Sequence, residues 1–336
     1  MNKKIQLDGK TKQLAIISIA LFVIMIILRS DKFLSPANMN SMLTQLVEPG
    51  LFAMCITLAY LSGGIDLSIV STANLVGIVN GMILRTFLPE GANAAPWLLL
   101  CVVVAFAIAV VAGTINGLLI AGMGIPPILV TLGTQSLFMG VAMILTKGTA
   151  EGNFPQALLD IGNAQLAGIP VVTIIFFAIA AILYVIVHKT PFGMKIQLIG
   201  ANMTAAKYTG INVKATLIKN YILTASLGAI AGMVIMARSN SAKADYGLTY
   251  VFQALLTCVL GGVSPLGGKG KVYNVVLSLI ALQILSTGFN MLRFSPLIRD
   301  SLFGFLLVFT IVIDYFMDKY KLDKMNKLAV ANAKSQ

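Results

Sequence analysis

Apolar residues run along nearly the whole chain, and short polar, glycine-containing or proline-containing breaks divide them into stretches of about 20 residues, the helix length that crosses a hydrocarbon core of about 30 Å. The pattern predicts ten helical spans, near residues 13–29, 42–62, 68–85, 97–121, 128–146, 168–187, 219–237, 249–262, 272–292 and 299–317. The expected fold is an all-α polytopic membrane protein. Residues 13–317 form one transmembrane domain, residues 1–12 and 318–336 are terminal segments, and residues 188–220 make the longest internal loop.

Two of these spans are weaker than the rest. The segment before LSGGIDLS (61–68) carries Glu48-Pro49-Gly50, and the segment from Tyr250 holds Gln253 and runs directly into GGVSPLGGKG (261–270). A helix broken by glycine survives in lipid only inside protein or beside a water-filled cavity, because each unsatisfied backbone group there costs several kcal/mol. Two such interruptions in one chain point toward a transport pathway, with Gly63, Gly64, Gly261 and Gly262 at the breaks. LAYLSGGIDLS and LTCVLGGVSPLGG also share a faint likeness, as two copies of one internal repeat would.

Composition agrees with the pattern. The chain is 58% hydrophobic and 11% charged, against about 25% charged in a soluble domain, and its mean hydropathy is +0.91. Cys55, Cys101 and Cys258 lie far apart in apolar stretches without CxxC spacing, which suggests neither a disulfide framework nor a metal site. The lone histidine, His188, reads as an interfacial residue at a helix end. The N-terminal MNKKIQLDGKTK and the apolar run after it look like a secretory signal, but RSDKFLSP offers no small-residue cleavage pattern, and a retained first helix is expected.

The net charge of +12 is explained by orientation rather than by nucleic acid. Assigning alternate loops to one side gathers 16 of the 24 basic residues there, from Lys3 and Lys10 through Lys195, Lys207, Lys269 and Lys271 to the C-terminal tail. The other side keeps Arg29, Lys32, Arg85, Lys147, Arg238, Lys243, Arg293 and Arg299, together with Glu90, Glu151, Asp160 and Asp245. The excess of Lys and Arg marks the cytoplasmic face, so both termini are expected there, in the bacterial cytoplasmic membrane.

Asp66 is the unexpected charge. Its carboxylate can cap a helix starting at Leu67 by accepting from the N–H of Ser68 or Ile69, with Gly63 and Gly64 making the turn. It can act as a cap alone, or as a cap that also fixes a gate between two broken spans.

The long loop reads HKTPFGMKIQLIGANMTAAKYTGINVKATLIKN, with five lysines and no acid. Asn202 can cap a short helix from Met203 to Thr209, Gly210 can end it in a left-handed conformation, and Ile211 can clasp it. Ala205, Ala206 and Thr204 would face outward between Lys195, Lys207 and Tyr208, a small and basic surface suited to a close-packed partner with acidic rims. The alternative occupant is anionic lipid.

TPFGMKIQLIGANMTAAKYTGI (190–211), LSGGIDLS, GIPPILVTLGTQSLFMG (124–140) and LGGVSPLGGKG (260–270) together resemble the permease subunit of ATP-binding-cassette importers of the ribose, xylose, arabinose and autoinducer-2 group. The resemblance covers Phe33 to Asp314. It implies a second permease subunit, identical or paralogous, a tandem cassette ATPase below and an extracytoplasmic solute-binding protein above. By the same resemblance Thr190, Pro191, Gly193, Lys195, Gly200, Ala201, Asn202, Ala205, Ala206, Lys207, Gly210 and Ile211 form the loop that couples ATP hydrolysis to transport. ATP and Mg would sit on the partner and no cofactor on this chain. GGKGK at 267–271 is not a phosphate loop, since Val263 stands where GxxxxGK needs glycine and Gly270 replaces the final Ser or Thr.

Some positions depart from the resemblance. Val251 and Gln253 stand where such permeases usually carry acids, Met139 where they carry arginine, and Val70 where glycine is frequent. For the solute path, polar side chains in apolar spans stand out: Asn74, Asn80, Asn116, Thr131, Thr134, Gln135, Gln253 and Asn290 join Gly63, Gly64, Asp66 and Ser68. Each can line a path or merely bond between helices. Gly113 and Gly117 form a GxxxG face for helix contact. An ion-coupled carrier is the competing class, disfavoured by the scarcity of intramembrane charge. A permease for nucleosides or another small polar solute is a neighbour within the same class. An embedded enzyme lacks any catalytic constellation in the sequence.

Overall fold

A computed structural model describes residues 9–89, 93–313 and 316. The first eight residues, Glu90 and the basic tail 318–336 lie outside the described residues. Among the described residues fourteen helices follow one another: α1 Gly9–Phe33, α2 Pro36–Gln45, α3 Val47–Leu61, α4 Ile69–Phe87, α5 Ala95–Gly117, α6 Pro127–Thr146, α7 Gln156–Asn163, α8 Val171–Lys189, α9 Pro191–Ala201, α10 Met203–Tyr208, α11 Val213–Ser239, α12 Tyr250–Leu260, α13 Val272–Met291 and α14 Pro296–Ile313. A wide π turn, Leu118–Gly122, extends α5. Strands occur only as two-residue pairs among the described residues, Glu151–Gly152 with Ser241–Ala242 and Gln165–Leu166 with Ile169–Pro170.

Nine stretches are long and apolar enough to cross a bilayer among the described residues, and α12 is shorter. They correspond one for one to the ten spans expected, with three differences. The 42–62 span is two helices, α2 and α3, broken at Leu46. The 219–237 span begins at Val213, because the Asn212 side chain accepts from the Ala215 N–H at 2.9 Å and starts the helix beneath Lys214 and Lys219. The helix thus outruns its apolar stretch, and its 27 residues reach about 40 Å. The 249–262 span contains only the 11 residues of α12, about 16 Å long. Residues 243–249, just before it, are non-helical backbone, and Asn74 of α4 donates to the carbonyls of Ala244 and Tyr246 at 2.9 Å each. Satisfied from inside the protein, irregular backbone is tolerated at membrane depth.

The packing centre is α11, against α3, α4 and α5. Small residues let these backbones touch: a Cβ on Gly113 or Gly117 of α5 would strike the α11 main chain at Ile222 or Ile218, and one on Gly232 of α11 would strike Ala73 of α4. Gly113 and Gly117 therefore serve packing.

Residues assigned to one side by charge also meet in space. Glu151 pairs with Arg85 at 3.0 Å and Trp97 stacks on Phe87 with ring centroids 6.3 Å apart. At the other end Thr11 donates to Asn274 at 2.8 Å, and His188 Nε2 accepts from the Val272 N–H at 3.2 Å. His188 is thus a helix-end residue joining α8 to α13. The three cysteines are free and buried.

Candidate functional site

Helices α9 and α10 lie between α8 and α11 and form the body of the 188–220 loop. Thr190 starts α9 by accepting from the Gly193 N–H, with Pro191 in the first turn. Gly193 is required because a Cβ there would run into the carbonyls of Ile186 and Val187, so α9 folds tightly back on α8. Asn202 breaks the chain with extended backbone and its side chain accepts from Ala205 N–H at 2.9 Å, opening α10. Gly210, at φ +80, closes it, and the N–H of Ile211 reaches back to the Ala206 carbonyl at 3.3 Å. These are the cap, the left-handed stop and the clasp read from the sequence.

The presented surface differs from expectation at one residue. Ala206 is 3% exposed, packed with Ile199 and Leu217, because a one-and-a-half-turn helix lying on a core must turn one residue inward. Thr204, Ala205 and Lys207 are exposed, with Met203 and an almost fully exposed Tyr208. Lys195 is exposed on α9, as is Ala201 at its end.

Gly200 is where three segments meet. A Cβ there would collide with the Leu61 carbonyl and lie 2.6 Å from the Gly268 nitrogen and 3.0 Å from the Gly63 nitrogen. Gly63 (φ +77), Gly267 (φ +95) and Gly268 (φ +74) adopt left-handed backbone around it, and Gly268 N–H donates to the Leu61 carbonyl at 3.2 Å. The end of α3, the loop after α12 and the α9–α10 joint are in backbone contact, with no side chain between them to absorb relative movement.

A polar chain runs upward from this knot. Asp66, 1% exposed, accepts from the Ser68 N–H at 3.0 Å and from the Ser68 hydroxyl at 2.6 Å. The Asn116 amide of α5 donates to Ser68 Oγ at 2.9 Å, and Thr134 of α6 donates to Asn116 Oδ1 at 2.8 Å. Thr131 donates to the Pro127 carbonyl at 2.9 Å and approaches the Ile65 carbonyl at 3.4 Å. Five residues chosen separately from sequence thus converge on one loop. The helix after Asp66 begins at Ile69, not Leu67, so Asp66 orients the residue preceding the helix.

The other candidates lie elsewhere. Asn74 ties α4 to the non-helical segment, and Gln135 is half-buried on α6. Asn80 is buried with neither amide atom bonded, and Asn290 is exposed at the end of α13. Gly261 abuts the Val275 backbone, and Gly262 (φ +75) contacts the Lys10 side chain. Gln253 is at the opposite end of α12 from these glycines, beside a hollow.

Sequence reasoning missed three groups. Asn220 of α11 donates to the Leu58 carbonyl at 3.0 Å and to Ser62 Oγ at 3.1 Å, holding the end of α3. The Tyr221 ring is buried with its hydroxyl against Gly64 and no hydrogen-bond partner. Both stand next to Lys219, at what hydropathy marks as a helix end. On the outer side Glu48 receives Arg238 and, at 2.6 Å, the Tyr250 hydroxyl. An acid within an apolar stretch was the only signal, and its partner lies 190 positions away.

Comparison with known proteins places this geometry. The model of the family described as branched-chain amino acid transport system / permease component matches residues 38–311. The autoinducer 2 import system permease protein LsrD of Photorhabdus luminescens is 34% identical over 269 residues, 78% of each chain. The LsrD of Yersinia enterocolitica is 33% identical over 269 residues, 78% of this chain and 79% of the relative. The ribose import permease protein RbsC of Bacillus subtilis is 32% identical over 318 residues, 93% of this chain and 95% of the relative. No solved structure matches. The described helices, the capped loop and the matched length converge: this chain is a non-catalytic, multi-pass permease of the cytoplasmic membrane and belongs to the branched-chain amino acid transport system / permease component family.

Proposed function

We propose that this chain is the translocation subunit of an ATP-driven importer for a sugar or sugar-like solute, working with a second permease subunit, a separate tandem ATPase and an extracytoplasmic binding protein. The names of the relatives, which import ribose or autoinducer 2, support the solute class. The observation that carries the coupling role is the backbone contact of Gly200 with Leu61, Gly63 and Gly268. The ATPase docks on Thr204, Ala205, Lys207 and Tyr208, with lysine side chains toward acidic rims. Movement of α10 is passed through Gly200 to both glycine loops at once. The loop 62–68 then shifts against α5 and α6, and the Asp66–Ser68–Asn116–Thr134 chain holds its resting position.

The test is reconstitution in proteoliposomes with the tandem ATPase, the binding protein and a labelled sugar. Uptake is expected only with ATP and all components present. Accumulation by the purified chain alone on an ion gradient would overturn the proposal in favour of a secondary transporter. Uptake of a nucleoside in place of every sugar would move the solute class while leaving the coupling intact.

A further inference from the structure

Among the described residues a hollow of about 200 Å³ opens between the outer end of α12 and the first turns of α14. Its walls are Thr249, Phe252, Gln253, Asp300, Phe303 and Gly304. Three of these side chains are polar, beside the apolar rings of Phe252 and Phe303. Among the described residues the Gln253 amide and the Thr249 hydroxyl have no hydrogen-bond partner, and Asp300 meets only the adjacent Arg299, at 3.6 Å. Hydrocarbon in this space would strand an amide, a hydroxyl and a carboxylate, which lipid does not tolerate cheaply. Water or a polar solute is the occupant that satisfies them. The room equals several waters, each taking about 30 Å³ of liquid, or one small solute in their place.

The chemistry of the wall is selective. Gln253 both donates and accepts, Thr249 does the same, and Asp300 accepts from hydroxyls while repelling an anionic solute. Phe252 and Phe303 add apolar wall for C–H groups. A molecule with hydroxyls along one edge and C–H groups on another fits this set. We propose that the hollow is an entry subsite for a small, neutral, polyhydroxylated solute at the outer mouth of the path, and that Gln253 is its specificity-determining contact. The proposal rests on the importer reading for its direction of use and on the wall chemistry for its ligand.

The native cysteines are buried, so a thiol introduced in the full-length chain reports on its own. In membranes open to the outer side, Gln253→Cys is expected to react with a charged, membrane-impermeant methanethiosulfonate about tenfold faster than Phe309→Cys on the apolar face of α14, because only water supports the thiolate. D-ribose, D-xylose or L-arabinose should slow that reaction, and succinate should not. Equal rates at the two positions, or protection by none of the three sugars, would overturn the subsite. Nothing lies within 4 Å of a Cβ at Gly304, so Gly304→Leu can fill the hollow. In the complete transporter this variant should lower sugar uptake about tenfold, a loss of about 1.4 kcal/mol, while stimulation of the ATPase by binding protein persists; unchanged uptake also overturns the proposal. Labelling and protection require no ATPase. Failure of the importer reading, seen as ATP-independent uptake, is therefore distinguishable from failure of the subsite.

Discussion

Asp66 shows how a carboxylate is kept in an apolar layer. It is buried, yet Ser68 supplies two donors, and Ser68 is itself held by Asn116. Asn offers the same acceptor oxygen, so Asp66→Asn should stay within about 1 kcal/mol of the parent. Asp66→Ala leaves the Ser68 hydroxyl and N–H without an acceptor and should cost about 2 kcal/mol. Thermal unfolding of the two purified variants measures the difference. The Glu48–Arg238 pair makes the opposite case, a mutual dependence of two charges. Arg238→Met leaves Glu48 with only the Tyr250 hydroxyl and should destabilise by about 3 kcal/mol. Adding Glu48→Gln should recover part of that loss, giving a double-variant cost below the sum of the single ones. The residue types were legible in the sequence in both cases. The pairing of Glu48 was not, because its partner is brought close only by the packing of α3 against α11.

Short elements make the contacts between distant segments. The α9–α10 unit was readable in outline, since Asn202 and Gly210 are local signals that depend on neighbours three or four residues away. Its docking was not readable, because Gly200 is required by Leu61 and Gly268, which are distant in sequence. Gly200→Val must push the three backbones apart. It should cut sugar uptake about tenfold or more, equivalent to at least about 1.4 kcal/mol, while the assembled ATPase still hydrolyses ATP without regard to loaded binding protein. Gly210→Asn should retain coupling, because Asn tolerates the left-handed conformation, whereas Gly210→Val should lose it. Uptake and ATPase measured on the same vesicles separate these outcomes. Helix α12 is short, as its weak apolar window implied, but the sequence did not show that the non-helical backbone before it has its Ala244 and Tyr246 carbonyls satisfied by Asn74.

The whole molecule is oriented by charge and closed by α11. Lys269 and Lys243 stand in loops assigned to opposite faces, so Lys269→Cys should be labelled from the cytoplasmic side alone and Lys243→Cys from the outer side alone. Vesicles of known orientation with an impermeant thiol reagent check both. The contacts at each face agree with that assignment: Arg85 meets Glu151 outside, and Thr11 meets Asn274 inside. The two glycine-broken units, α3 into α4 and α12 into α13, end side by side at the cytoplasmic face, where Leu61 accepts from Gly268. The loop between α8 and α11 touches both through Gly200.

The sequence by itself determined the class, the number and order of apolar elements, the orientation and the capped loop, since each depends on hydropathy, charge asymmetry or spacing within a few residues. Tertiary structure alone decided which glycines touch, that Ala206 turns inward, that Asn220 and Tyr221 brace the loop before α4, and that Gln253 borders a hollow with Asp300. Those facts depend on which distant backbones approach within van der Waals contact. Side-chain packing among near-uniform apolar helices sets that approach, and a local pattern does not encode it.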